Sequence, residues 1–303
     1  MKNFNYVLFL NLILVLTSCS QSLRMDAQLE RIIAEELQIT GQKLKKSNLL
    51  ELKELEIKDI ELQSLEGLEY CINLERLVLQ NCNISEITQL KFLTKLKYLN
   101  IALNPEIKDI NSVSYIKELE VFIASGISVQ DISPLKNCTN LERIFLNNTK
   151  EITNISPLST LHNLKVLEFY DNKVEDLSAL SELENIERLW INQNQIKDLT
   201  PIQSMKKLEY LIADHNLIED LSPIQNLTKL SILDISFNNV SEISVLSKLI
   251  KNNAFTDTSY SIWWINDVKN SPVINIVGNP IDLSINRKTI EQINSKQINL
   301  KIN

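Results

Sequence analysis

Two consecutive stretches of this chain carry one pattern: LTPIQSMKKLEYLIADHNLIED at residues 199–220 and LSPIQNLTKLSILDISFNNVSEI at 221–243. Aligned on the apolar residue that opens each strand, the pattern recurs at Leu74, Leu96, Leu119, Leu141, Leu164, Ile186, Leu208 and Leu230, always 22 or 23 residues apart. A half-copy precedes them at Leu52, Leu55 and Ile57. No other feature restricts the fold so tightly. Around the second Leu of each copy the pattern alternates, so each copy holds a short strand with one face buried. One strand per copy, always in the same direction, makes a parallel sheet. No copy can cover its own apolar side, so the copies must stack.

The consensus L-x-x-L-x-[IL]-x-x-N-x-[IV]-x-[DE]-[IL]-[ST]-P-[LI] resembles the leucine-rich repeat. That resemblance implies an α/β repeat solenoid with a parallel concave sheet. The recurring amide at Asn104, Asn172, Asn194, Asn216, Asn238 and Asn279 can bond the backbone of its own turn and of the adjacent coil, which makes it a structural ladder. Cys82 and Thr149 hold the same position and can form weaker versions of the bond. About six residues remain for the return segment, where Ser222 is expected as N-cap and Pro223 at the first helical position. Pro134, Pro157 and Pro201 repeat the signal, so the convex side should consist of 3₁₀ or short helical turns.

The ends differ from the repeats. Met25, Leu29, Ile32, Ile33 and Leu37 fall on one helical face, with Asp26 as a cap and Gly41 as a stop, which predicts an N-terminal helical cap. This helix followed by SLEGLEYC resembles the internalin-like group of bacterial leucine-rich repeat proteins. Past Ile243 a degenerate copy is expected, with a strand before Asn279 and Ile281, a short helix near 287–294 and a final strand in QINLKIN. Tyr260, Trp263 and Trp264 are read as packing within this C-terminal cap.

At the other extreme, Lys2 and the apolar run 6–16 read as a secretory signal, and Leu16-Thr17-Ser18-Cys19 resembles the lipobox of bacterial lipoproteins. That resemblance implies a signal peptide at 1–18, lipidation of Cys19 and a membrane held through an N-terminal lipid. No LPxTG-type sorting motif occurs, and Ser20 after the Cys resembles sorting to the outer membrane if the cell is Gram-negative. The expected organisation is thus a signal peptide at 1–18, a tether and cap helix at 19–48, repeats at 49–243 and a C-terminal cap at 244–303.

Composition narrows the function. A net charge of −7 argues against nucleic acid, and four glycines leave no phosphate-binding loop. The two histidines, His162 and His215, lie on different coils, and GxSxG, HExxH and CxxC are absent, so no enzyme, no cofactor and no metal site is expected. Stacked carboxylates at Asp109, Asp131, Asp176, Asp198, Asp220 and Glu242 are read as favouring the starts of the convex turns rather than as calcium ligands. Cys71 and Cys138 sit three coils apart, about 14 Å, beyond disulfide reach. With Cys82 they are expected to be buried free thiols.

The outward side chains of the strands form the concave face. One column reads Arg76, Tyr98, Val121, Arg143, Val166, Arg188, Tyr210, Ile232, and the next Val78, Asn100, Ile123, Phe145, Glu168, Trp190, Ile212, Asp234. Tyr170 lies in a third column and Phe237 at its margin. Aromatic residues with Arg are enriched at binding hot spots. Tyr98, Phe145, Tyr170, Trp190, Tyr210, Ile212, Arg143, Arg188 and Phe237 are therefore the candidate binding residues, with Trp190 expected to be largely exposed. The internalin-like resemblance implies a protein partner for a monomeric protein in the cell envelope. The alternatives are a glycan stacked on the same rings and a regulatory scaffold for an enzyme.

Overall fold

The computed structural model describes residues 23–256 and 272–302. The signal segment, Cys19, Tyr260, Trp263 and Trp264 lie outside the described residues. Eleven parallel strands form one open sheet in chain order. They are β1 (Glu54–Lys58), β2 (Arg76–Gln80), β3 (Tyr98–Asn100), β4 (Val121–Ile123), β5 (Arg143–Phe145), β6 (Val166–Glu168), β7 (Arg188–Trp190), β8 (Tyr210–Ile212), β9 (Ile232–Asp234), β10 (Val273–Asn275) and β11 (Asn299–Lys301). Because every copy has nearly the same length, register is one to one: Tyr98 pairs with Val121, Arg188 with Tyr210, Trp190 with Ile212. The second residue of each strand points inward, and Leu77, Leu99, Phe122, Ile144, Leu167 and Leu189 are fully buried. The core is one continuous column through all coils, as expected when each repeat is covered only by its neighbours.

Where each strand ends, the ladder amides take up the freed backbone groups. Asn194 Nδ2 donates to Phe169 O and Ile191 O, both at 3.1 Å, and its Oδ1 accepts from Val174 N at 2.9 Å. Asn216, Asn238 and Asn279 repeat this arrangement coil by coil. Asn104 does so at the near end, and Asn172 donates to Leu146 O and Phe169 O. Cys82 substitutes with a longer Sγ bond to Ile57 O at 3.4 Å, and the Thr149 hydroxyl bonds Asn172 Oδ1. Ile127 holds the position in its coil with no polar atom. The N–H of Ile107, which an amide there would take, closes onto Asn104 O at 3.0 Å.

The return segments are 3₁₀ turns such as Ser133–Asn137, Ser156–Thr160 and Ser222–Asn226. Ser222 is not their cap. It is the first turn residue, and Asp220 caps it, with Oδ1 accepting from Ser222 N at 2.7 Å and Oδ2 from Ser222 Oγ at 2.5 Å. Its longer, charged side chain reaches the second N–H beyond it, which the serine hydroxyl cannot do from inside the turn. Asp109, Asp131, Asp176, Asp198 and Glu242 each accept the same i+2 bond. The Thr200 hydroxyl and N–H hold the Asp198 carboxyl below its ordinary value.

At the N-terminal end, α1 (Ala27–Glu36) buries Leu29 and Ile33 against the first coil, and Asp26 Oδ1 accepts from Gln28 N and Leu29 N at 2.8 and 2.9 Å. The helix stops at Gln38, not at Gly41. Gln38 takes the left-handed conformation (φ 55°), and Ile39 N closes onto Ala34 O at 2.8 Å. A short α2 (Lys46–Leu49) leads into β1. At the far end α3 (Ser244–Lys251) replaces a 3₁₀ turn, and α4 (Arg287–Ser295) lies beyond β10. Asn286 seals this end: its Oδ1 accepts from Ile243 N and its Nδ2 donates to Ser241 O, both at 2.9 Å. Cys71, Cys82 and Cys138 are buried free thiols. Burial pushes their pKa values up, to about 12 for Cys71 and about 11 for the other two.

Candidate functional site

The strand register brings the outward residues into straight columns, and the concave face is built where three of them run side by side. In the central column Phe145 pairs with Glu168 and Glu168 with Trp190. A carboxylate is thus held between two aromatic side chains on adjacent strands, about 4.8 Å from each along the sheet. Arg143 and Arg188 occupy the preceding column on the strands that carry Phe145 and Trp190, and both are exposed.

Burial decides the character of Glu168. The residue is only 8% exposed, and this desolvation pushes its pKa up to about 7 despite an Asn147 hydrogen bond and the Arg188 charge, which act in the opposite direction. Asn147 Nδ2 donates to Glu168 Oε2 at 2.9 Å, and Asn147 Oδ1 accepts from Tyr170 N at 3.2 Å. Two coils on, burial raises the Asp214 pKa, the His215 bond opposes it and the Asp234 charge adds to it. Asp214 Oδ2 lies 2.8 Å from His215 Nδ1, and the His215 ring stacks on Phe237 with centroids 4.4 Å apart. Between these groups Asn192 Oδ1 is buried with no hydrogen-bond partner among the described residues. The face therefore presents acceptors set among rings, suited to a surface that brings donors. Nothing in it is arranged as a nucleophile with its base, and no group of three His, Cys, Asp or Glu is placed to hold a metal ion among the described residues.

The candidate residues divide by accessibility. Tyr98, Phe145, Tyr170 and Ile212 are half-buried, while Phe237 is 50% exposed. Trp190, expected to stand largely free, is also half-buried, because its neighbours on adjacent strands are long side chains rather than the small polar ones typical of a solvated sheet. Tyr210 departs furthest. At 5% exposure it forms a small apolar cluster with Ile232 and Val273 on the concave side, and the Arg188 guanidinium stacks over its ring at 4.9 Å. Arg76 covers Tyr98 in the same way at 3.8 Å. Tyr210 is thus a packing residue of the face. Glu168 and Asn147 were not singled out from sequence. The available signal was a Glu on an outward column with aromatic residues one coil before and after.

Fold and ladder together define a class. The leucine-rich repeat model, described as "Leucine Rich repeats (2 copies)", matches at residues 72–115, 117–160, 162–204 and 206–248, more than half of the chain. The protein belongs to the leucine-rich repeat family. Within it, the chain is internalin-like: it is similar to internalin F of Listeria monocytogenes, with 26% identity and a TM-score of 0.70 over 92% of this chain and 90% of that one. Internalin C2 of the same organism matches at 28% identity and TM-score 0.65, over 70% of this chain and 93% of that one. A leucine-rich repeat protein of Leptospira interrogans shares the fold at 19% identity and TM-score 0.54, over 86% and 74% of the two chains. Comparison with curated protein sequences gives no match. This fold commonly mediates protein–protein binding.

Proposed function

We propose that this protein is a lipid-anchored binding protein of the cell envelope that recognises a protein partner through its concave face. The Phe145–Glu168–Trp190 column, flanked by Arg143 and Arg188, carries the reading. Rings supply contact area at small entropic cost, and the buried Glu168 carboxyl, bonded at one oxygen by Asn147, keeps acceptor capacity for a partner's donor. Similarity to the internalins and the lipobox-like Leu16-Thr17-Ser18-Cys19 support the same picture. Catalysis has no support in the arrangement.

The test is cross-linking of the intact chain to envelope or host proteins, followed by affinity measurement with Trp190→Ala. A single cross-linked polypeptide is expected, with affinity reduced by about 2 kcal/mol or more in the variant, as for a central hot spot. Folding should lose only about 1 to 2 kcal/mol, in keeping with a half-buried ring. Full affinity in a folded Trp190→Ala protein sinks the concave-face reading, and retention on a polysaccharide array instead of a polypeptide moves it to glycan binding. For the anchor, Cys19→Ala should abolish palmitate labelling. Unchanged labelling removes the lipoprotein reading.

A further inference from the structure

The convex side carries a feature that the repeat does not require. The residue just before the inward-pointing end of each 3₁₀ turn is Tyr70, Phe92 and Tyr115 in three successive coils, then Asn137, Thr160, Glu182, Ser204 and Asn226 in the next five. Five coils fold with a polar residue there; Tyr70 is half-buried against the core, but packing does not explain Phe92 and Tyr115. Phe92 is 45% and Tyr115 58% exposed. Ile72, whose counterparts Thr94, Lys117, Thr139 and His162 are all polar, is exposed beside Tyr70, and Leu50 is exposed one coil earlier, where Asn73 bonds its carbonyl. Lys46 Nζ lies 4.0 Å from the Tyr70 ring centre and Lys91 Nζ 5.1 Å from that of Phe92. An exposed apolar patch of this kind has an occupant.

The start of the chain says which. Arg24 and Met25 run against Gly67, the residue that opens the Leu68–Tyr70 turn: a Cβ on Gly67 would stand 2.9 Å from Arg24 O and 2.6 Å from Met25 Cε. Cys19 precedes Leu23 by four residues, at most about 14 Å of extended chain. We propose that the Tyr70–Phe92–Tyr115 patch, with Leu50 and Ile72, rests on the lipid bilayer beside the acyl anchor, so that the concave face looks away from the membrane. The inference rests on lipidation of Cys19. Aromatic rings are favoured at the headgroup level of a bilayer, and lysine stems lie along apolar surface with the ammonium in the headgroups. Each contact is weak, but a tether this short raises the effective concentration of bilayer at the patch. The net charge of −7 makes the contact one of ring insertion rather than anion attraction, and zwitterionic lipid is the fitting probe.

The intact acylated chain, reconstituted on phosphatidylcholine vesicles, tests this with spin-labelled lipid as a quencher. Phe92→Trp and Asn226→Trp each add one indole at the same turn position, near to and far from the anchor, and wild-type emission corrects for the three native tryptophans. At least a twofold quenching of the emission added by Phe92→Trp is expected, with little for Asn226→Trp. Phe92→Trp combined with Tyr115→Asn should be quenched less while the protein still floats with the vesicles. If acylated protein floats but both indoles are equally unquenched, the bilayer is not the occupant and the proposal is overturned, leaving the anchor standing. If Cys19 carries no acyl group, anchor and proposal fall together.

Discussion

The ladder column and the central concave column run through the same coils on opposite sides of the strand ends, and they behave in opposite ways. From coil to coil the ladder repeats its residue and its bonds: Asn194, Asn216 and Asn238 each donate to the preceding coil at 2.9 to 3.1 Å and accept an N–H from it. In the concave column no two successive residues are alike: Ile123, Phe145, Glu168, Trp190, Ile212 and Asp234 follow one another. An inward amide must close both its own turn and its neighbour's, so its chemistry is fixed by the stack. An outward side chain owes the stack only its size. Identity can change where the fold does not depend on it, and that is where recognition can be written.

The difference can be tested from the ladder side first. Asn194→Ala leaves the buried Val174 N–H without its acceptor and takes one of two amide donors from each of Phe169 O and Ile191 O, and a loss of about 2 to 3 kcal/mol in denaturant-induced unfolding is expected. Asn279 lies near the chain end, yet it makes the same bonds, to Ile235 O at 2.8 Å and from Val240 N at 3.0 Å, and α4 and β11 follow it. A similar loss is expected for Asn279→Ala. A loss under half as large would show that the last coils fray independently. Wild-type stability for both variants would erase the distinction between the columns.

The concave column should respond to pH instead. The folded-state pKa of Glu168 is raised to about 7 from 4.5, so the protonated native form is favoured. Its contribution is fully present below about pH 4.5 and is lost as pH rises through about 7. The expected fall is about 2 kcal/mol, somewhat under the full linkage value. Glu168→Gln should flatten that part of the stability–pH curve, and an unaltered slope would mean that the carboxylate is hydrated.

The smallest effect concerns a third column, the left-handed residues between the other two. Asn81, Asn148 and Asp171 accept φ values of 53 to 56° readily, whereas Leu103 does so at φ 59° while 49% exposed. Leu103→Asn should stabilise by roughly 0.5 to 1 kcal/mol through relief of that strain. A destabilised variant would show that its contact near Gly126 matters more.

How much of this was legible follows from the range of the forces involved. Period, strand register, ladder positions and the side each residue faces are set by spacing, so Leu74 through Leu230 suffice to place them. Caps were less legible: Asp220 rather than Ser222, and Gln38 rather than Gly41, because reach of one side chain or one closing bond decides between near neighbours. Asn286, bonded to Ile243 forty-three residues away, leaves no local trace. For the candidate site the positions were readable but the accessibility was not. Tyr210 is covered by Ile232 and Val273 of the following strands, and Glu168 owes its raised pKa to burial, both of which only stacking creates.

The break in the ladder at Ile127 gives the molecule a mechanical grain. Each coil holds only its neighbours, so tension applied at the two ends is carried in series through every interface. The two interfaces flanking the Ile127 coil lack the ladder bond, because Ile127 has no polar atom and the Thr149 hydroxyl bonds forward to Asn172; they are the place for the first rupture, and each coil peeled from there lengthens the chain by its 22 or 23 residues, roughly 75 Å of contour. Pulled slowly, such a chain yields as a run of equal steps with an early, weaker event, and exchanging both Ile127 and Thr149 for Asn would remove that event from the force trace.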